Sequence, residues 1–243
     1  MDNFIFGIRP IIEALKSGQE IDKVLIKNGL VGSLAGELFV ELRKRNIRVQ
    51  HVPAEKIDKI SPANNQGVVA YLSPVTYQDI EDVIEKVIDE KRKPLILILD
   101  GITDVRNFGA IARTAECMGV DAIVIPTTNS VRITEDAIKT SAGALYNIPV
   151  CKVDNLIDVV LLLQQLEINV IAATEKSDID ISEADLVQAT AIVMGSEDRG
   201  VSPQLLKRVN KSYKVPIVGK TESLNVSVAA AMFIYESVRQ RLN

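Results

Sequence analysis

The sequence predicts an α/β protein in two parts, a small alternating unit followed by a larger one built on a parallel sheet. Three observations lead to this. From Pro94 onward six short apolar runs, PLILILD, DAIVIP, IPVCKV, NVIAATE, TAIVMG and SYKVPIV, lack polar alternation, which is the pattern of strands buried on both faces of a parallel sheet. Before residue 75, shorter runs alternate with amphipathic helices. Between the two lies a charged stretch with a single apolar stripe, and the rhythm changes there.

The first part opens with a helix whose apolar residues are Ile8, Ile11, Ile12 and Leu15, with Pro10 near its first turn, followed by the strand DKVLIK. A second helix, LAGELFVELRKRN, leads to the strand IRVQHV, and the turn-like PANNQG precedes a last strand, GVVAYL. In VTYQDIEDVIEKVIDEKRK, the residues Ile80, Val83, Ile84, Val87 and Ile88 form one stripe on a charged helix. The expected division is therefore 1–75, 76–93 as a linker or the first helix of the second unit, and 94–243. In parallel sheets ligands sit beyond the carboxyl ends of strands. Three such segments stand out: DGITDVRNFGAIARTAE, GSEDRG and VPIVGKTESLN.

Composition narrows the chemistry. With 243 residues, 47% hydrophobic and 25% charged, the chain reads as a soluble globular protein. It has no apolar run of the ~20 residues that a membrane span needs, and MDNFIFGIRP lacks the pattern of a secretory signal, so the expected location is cytoplasmic. Cys117 and Cys151 fit neither a disulfide framework nor a zinc spacing and read as small core residues. A single histidine, His51, excludes a multi-histidine metal site and leaves no plausible Ser-His-Asp triad; it reads as a strand surface or edge residue. No metal is expected. GxxxxGK[ST] and GxGxxG are both missing, against a triphosphate loop and a common dinucleotide site. The net charge of −4 hides a mildly basic first part, with ten Lys/Arg against eight Asp/Glu in residues 1–75. There RKRNIR, with Arg43, Lys44, Arg45 and Arg48, is either a phosphate-facing patch or a solvated helix end whose cations favour the negative dipole terminus.

Each of the three segments also has an ordinary structural reading. The first is expected to enter a helix near Phe108 with Asn107 as N-cap; Gly109 permits close backbone approach, and Arg113 lies one turn on. Arg113 either binds a phosphate or pairs with Glu116 or Asp104. In the second, Glu197 follows a buried strand and Arg199 comes two residues later, which by itself is a turn with solvated charges. In the third, Ser223 and Asn225 stand where helix caps are common, at the mouth of a helix in which Val226, Val228, Ala229, Ala230, Met232, Phe233, Ile234 and Tyr235 cover nearly every face.

Together, DGITDVRNFGAIARTAECMG, VMGSEDRG and VPIVGKTESLNVSVAAAMFIYE resemble the three motifs of the TrmH-like branch of the SPOUT methyltransferases in order, spacing and position in the chain. FGIRPIIEAL and NNQGVVA are similar to the ribosomal-protein-like RNA-binding domain that precedes the catalytic domain in guanosine methyltransferases of large-subunit ribosomal RNA. Where that family commonly has Asp-Pro, this chain has Asp104-Val105-Arg106, a less rigid loop with an added cation. The resemblance implies an α/β SPOUT domain with a deep trefoil knot, a homodimer through the C-terminal helices, and methyl transfer from S-adenosylmethionine to a ribose 2′-hydroxyl of structured RNA. The RNA would be rRNA, with tRNA as the alternative; membrane and DNA are not expected as partners. It further implies catalytic roles for Asn107, Arg113, Glu197, Ser223 and Asn225. The cofactor would contact Thr174, Gly195, Val215, Ile217 and Leu224, and RNA would meet Arg9, Arg43, Lys44, Arg45 and Arg106. Two other readings are an RNA-binding protein on the same fold without catalysis and a nucleotide-dependent oxidoreductase, the latter disfavoured by the missing GxGxxG.

Overall fold

The computed structural model of the chain describes residues 4–45 and 47–242; Asn46, inside the RKRNIR run, lies outside them. Two compact units divide between Thr76 and Tyr77, apart from residues 133–135, which group with the first.

The first unit contains β1 (Phe4–Phe6), α1 (Ile8–Lys16), β2 (Ile21–Lys27), α2 (Ser33–Lys44), β3 (Val49–Val52), α3 (Ala54–Ile60) and β4 (Val68–Leu72). Its sheet runs β1-β4-β2-β3, with β2 and β3 parallel and β4 antiparallel to both its neighbours. The period of two along β4 divides its side chains: Val68 and Ala70 join Ile11, Ile12, Leu15, Leu38 and Leu42 under α1 and α2, while Val69 and Tyr71 join Leu25, Val52 and Ile57 under α3. His51 is exposed on the edge strand β3 and stacks on Phe39 at 6.4 Å between ring centroids.

The second unit opens with α4 (Ile80–Asp89), whose first turn is capped by the Asp79 carboxylate accepting from Glu81 N. Ile80, Val83 and Ile84 pack into the core formed by the parallel sheet, so this helix is part of the second unit rather than a free linker. Ile88, expected on the same stripe, is 44% exposed, because it falls at the stripe's margin. There follow β5 (Leu95–Asp100), α5 (Val105–Cys117), β6 (Ala122–Pro126), α6 (Glu135–Thr140), β7 (Val150–Val153), α7 (Leu156–Gln165), β8 (Asn169–Ala173), β9 (Thr190–Gly195), α8 (Pro203–Leu206), β10 (Lys211–Tyr213) and α9 (Val226–Arg241). The six strands are all parallel, in the order β10-β8-β9-β5-β6-β7. Chain order reverses between β9 and β5, so the segments that follow these two strands emerge side by side.

Two expectations are corrected here. Of SYKVPIV only Ser212 and Tyr213 are strand, as the last two residues of β10; past the bridge at Lys214 the chain leaves the sheet edge, and Val218 is fully exposed. Cys117 is exposed on α5, whereas Cys151 is buried in β7. Along α9 the apolar residues divide between a buried and an exposed side. Val226, Ala230, Phe233, Ile234 and Ser237 are buried, while Val228, Met232 and Tyr235 are exposed at 44%, 40% and 56%. Among the described residues no helix is long and apolar enough to cross a membrane.

Candidate functional site

The site is built where the chain leaves β5 and β9 and where α9 begins. After β5 the chain turns through Gly101, and α5 starts at Val105 with Asp104 as its N-cap, the carboxylate accepting from Asn107 N at 2.8 Å. The expected cap, Asn107, is thus inside the first turn, where its side chain is free to point elsewhere. Gly109 is needed for packing: a Cβ there would stand 2.6 Å from Thr140 Cβ.

After β9 the chain folds sharply back on itself. Ser196 bridges Gly200, and Gly200 N donates to Ser196 O at 2.8 Å. A Cβ on Gly195 would lie 2.0 Å from Gly200 C and Val201 N, so no larger residue fits this approach. Glu197, Asp198 and Arg199 stand exposed on the resulting tight loop.

Asn225 joins the three segments. Its Oδ1 accepts from Ser227 N at 2.9 Å and Ser227 Oγ at 2.5 Å, capping α9. A backbone N–H can only donate, so this bond fixes which way the amide faces. Nδ2 then donates to Glu197 Oε1 at 2.6 Å and to Asn107 Oδ1 at 3.0 Å. The bond to the carboxylate is charge-assisted. With Asn107 Oδ1 occupied, the Asn107 Nδ2 group is left as a donor, and Glu197 Oε2 is left as an acceptor.

Two adjoining clefts flank this bracket. One, of about 280 Å³, is lined by Thr174, Gly195, Val215, Ile217, Ser223 and Leu224 together with Glu197 and Arg199. Its lining also includes Ala173 and Met194, which sequence reasoning did not single out, and Val226, Ala229 and Phe233, which it read only as apolar residues of the last helix. The other, of about 200 Å³, is lined by residues 101–104, Asn107, Asn129, residues 196–199 and Val226. Residues 215–224, of which Val215, Ile217, Glu222, Ser223 and Leu224 line the first cleft, make no hydrogen bond among the described residues, so the backbone groups of those five are available to a ligand. An apolar floor with unpaired backbone groups along one wall suits a nucleoside-bearing cofactor. Among the described residues, no cluster of three His, Cys, Asp or Glu is placed to hold a metal.

The profile of the SpoU rRNA methylase family matches residues 94–235, and that of the RNA 2′-O ribose methyltransferase substrate-binding domain matches residues 4–78. The chain belongs to the SpoU methylase family. It is therefore an RNA 2′-O-ribose methyltransferase. A Staphylococcus saprophyticus protein named for the TrmH family of tRNA/rRNA methyltransferases is 35% identical over 237 residues, covering 98% of this chain and 95% of that one. A Staphylococcus aureus protein of the same name is 34% identical, with 99% and 97% covered. Among solved structures, an RNA 2′-O ribose methyltransferase is similar at 26% identity and TM-score 0.58, covering 99% of this chain and 89% of that one. The SpoU methyltransferase AviRb of Streptomyces viridochromogenes shares the fold, at 23% identity and TM-score 0.63 with 99% and 90% covered.

Within this SpoU chain the sequence-predicted residues separate into groups. Asn107, Glu197 and Asn225 are hydrogen-bonded together, and Ser223 lies with all five expected cofactor residues on the larger cleft. Arg113 is exposed on α5, has no hydrogen bond or ion pair among the described residues, and lines neither cleft. Arg106 is exposed in the first turn of α5. In the first unit Arg9, Arg43 and Arg45 are exposed, and Lys44 is paired with Glu41 at 2.9 Å.

Proposed function

We propose that this methyltransferase takes its methyl group from S-adenosylmethionine held in the 280 Å³ cleft and places it on a guanosine ribose of large-subunit rRNA. Supporting the methyl-transfer reading is the Asn225 bracket: Glu197 lines both clefts, Asn107 lines the smaller one, and between them one donor and one acceptor are left without a partner among the described residues. When bound, the cofactor supplies a methyl group on a positively charged sulfur, already a strong electrophile. The protein's task is orientation.

In this reading Thr174, Gly195, Val215, Ile217 and Leu224 enclose the cofactor, the apolar side chains covering its faces and the unpaired backbone of 215–224 meeting its polar edges. Ser223 stands at the rim. Glu197 Oε2 accepts a hydrogen bond from the ribose hydroxyl, and Asn107 Nδ2 donates to an oxygen of the same nucleotide. Arg113 is permanently cationic and too weak an acid to act as a base, so its role is to hold a phosphate of RNA lying across α5 and to stabilise developing negative charge. The first unit grips RNA outside the target nucleotide through Arg9 and the Arg43, Lys44, Arg45 run.

Two further parts of the proposal are architectural. The C-terminal segment threads a loop as a trefoil knot, and the exposed Val228, Met232 and Tyr235 stripe on α9 packs against the same stripe of a second copy, giving a homodimer in the cytoplasm. The S. saprophyticus relative's name joins tRNA with rRNA, and tRNA is the competing substrate. Assaying the purified protein on ribosome-free 23S rRNA and on bulk tRNA separates them. Methylation of rRNA alone supports the proposal, and methylation of tRNA alone overturns its rRNA part.

A further inference from the structure

We propose that Arg199 binds a phosphate of the substrate RNA at the mouth of the smaller cleft, a contact that depends on the reading of this site as the RNA-methylating centre. Of the residues lining that cleft, Arg199 is the one cation, set against the carboxylates of Asp104, Glu197 and Asp198. A nucleotide cannot enter such a cleft without placing its phosphates in an acidic field. The cleft therefore needs a cation aimed at the backbone, and Arg113 lines neither cleft.

Three features fit Arg199 to that role. It is exposed and, although two of those carboxylates precede it directly in the loop, it forms no ion pair among the described residues, so its guanidinium is uncommitted. Its backbone is held: Arg199 N donates to Ser196 Oγ at 3.3 Å, and the Ser196–Gly200 closure pins both ends of the loop. It also lines both clefts, so a phosphate bound there would sit beside the Glu197, Asn225 and Asn107 bracket. A planar guanidinium can hold two phosphate oxygens at once, fixing the orientation of the nucleotide as well as its position. The larger cleft has two other cations, Lys176 and Lys214, so a carboxylate on the cofactor does not need Arg199.

The test is RNA binding without cofactor, read by anisotropy of a fluorescein-labelled mixed-sequence RNA stem-loop between 50 and 200 mM salt. Losing one phosphate contact flattens the plot of log affinity against log salt by about 0.7 to 0.9. Arg199→Gln is expected to show that flattening with about five- to tenfold weaker binding at low salt. Arg199→Lys should keep the slope but bind more weakly than wild type, because the charge remains and the fork is lost. S-adenosylmethionine affinity, measured separately by calorimetry, should stay within about threefold in both variants. An unchanged salt slope in Arg199→Gln overturns the proposal, as does a tenfold loss of cofactor affinity, which would assign the side chain to the other cleft. Failure of the wild-type protein to bind S-adenosylmethionine would instead count against the cofactor reading, since the salt slope is read without it.

Discussion

Replacing Asn225 separates the two jobs its amide performs. Asn225→Ala removes the cap on α9 and both bonds from Nδ2. Losing the cap costs about 1 kcal/mol. The bond to Glu197 contributes about another 1 kcal/mol, at the low end for a charged acceptor because the pair is solvent-exposed. For a protein of this size the sum of about 2 kcal/mol lowers the Tm by roughly 4 to 8 °C. Asn225→Asp keeps a good cap, so the cap-dependent share of that drop should be absent. It nevertheless loses both N–H donors and turns a carboxylate toward Glu197. With Glu197 and Asn107 no longer fixed, a displacement of about 1 Å at the reacting hydroxyl costs about a hundredfold in rate. Both variants should therefore lose about a hundredfold in single-turnover methyl transfer while binding S-adenosylmethionine within about threefold of wild type. Thermal unfolding, calorimetry and rapid-quench transfer on the same preparations read these effects. An Asn225→Asp protein within threefold of wild-type rate would refute the bracket as a catalytic device and leave it as a cap alone.

Other outcomes follow from groups away from the site. Burial, with a smaller contribution from Asp79, pushes the Cys151 thiol up to about 12, whereas Cys117 is exposed; a thiol reagent at pH 8 should therefore titrate one cysteine in the native protein and two after denaturation. Bonds from Arg239, helped by Gln240, hold the Glu236 carboxyl down at about 2. Its folded value lies below the unfolded one of about 4.3, so its contribution is full at neutral pH and is lost as pH falls from about 4.5 toward 2. The stability gap between wild type and Glu236→Gln, measured by urea unfolding, should accordingly narrow over that window; a gap constant from pH 7 to 3 would contradict the assignment. Arg241 donates to the carbonyls of Lys93, Pro94, Leu186 and Gln188, tying the end of α9 to the segments that lead into β5 and β9. Arg241→Ala should cost about 3 kcal/mol, seen as a Tm lower by roughly 6 to 12 °C, with cofactor affinity little changed.

Much of the fold was legible because buried parallel strands carry unalternating apolar runs, and each run from PLILILD to TAIVMG became a strand. The elements that escaped were those with little periodicity to show. β1 is three residues long and α3 seven, and both gain their stability by packing on β4 and β2. VPIV looked like a strand for its β-branched residues, yet a strand needs a neighbour, and beyond Tyr213 the chain has left the pairing with β8. Cys117 looked like a core residue by type alone, while its place on α5 faces outward.

At the site, the three segments could be picked out because each follows a strand or opens a helix. Their convergence could not, since it depends on β9 pairing with β5, two strands about a hundred residues apart in the chain. Arg199 was read as a solvated turn residue for the same reason: only the folded cleft shows that it is the cation set among Asp104, Glu197 and Asp198. Ser227 went unnoticed because its hydroxyl acts through Asn225. Aspartate at 104 signalled a cap as strongly as asparagine at 107, and the choice between them turned on where the loop from β5 ends.

Incubating the purified protein with methyl-tritiated S-adenosylmethionine and 23S rRNA, then digesting the RNA in alkali, tests the ribose 2′-hydroxyl as acceptor most directly. A 2′-O-methyl group removes the nucleophile that cleaves the adjoining linkage, so the label should survive in an alkali-resistant dinucleotide at a single guanosine, and Asn225→Asp should slow its appearance about a hundredfold. Label recovered on a base, or none transferred to any RNA by a folded protein that binds the cofactor, would contradict the assignment.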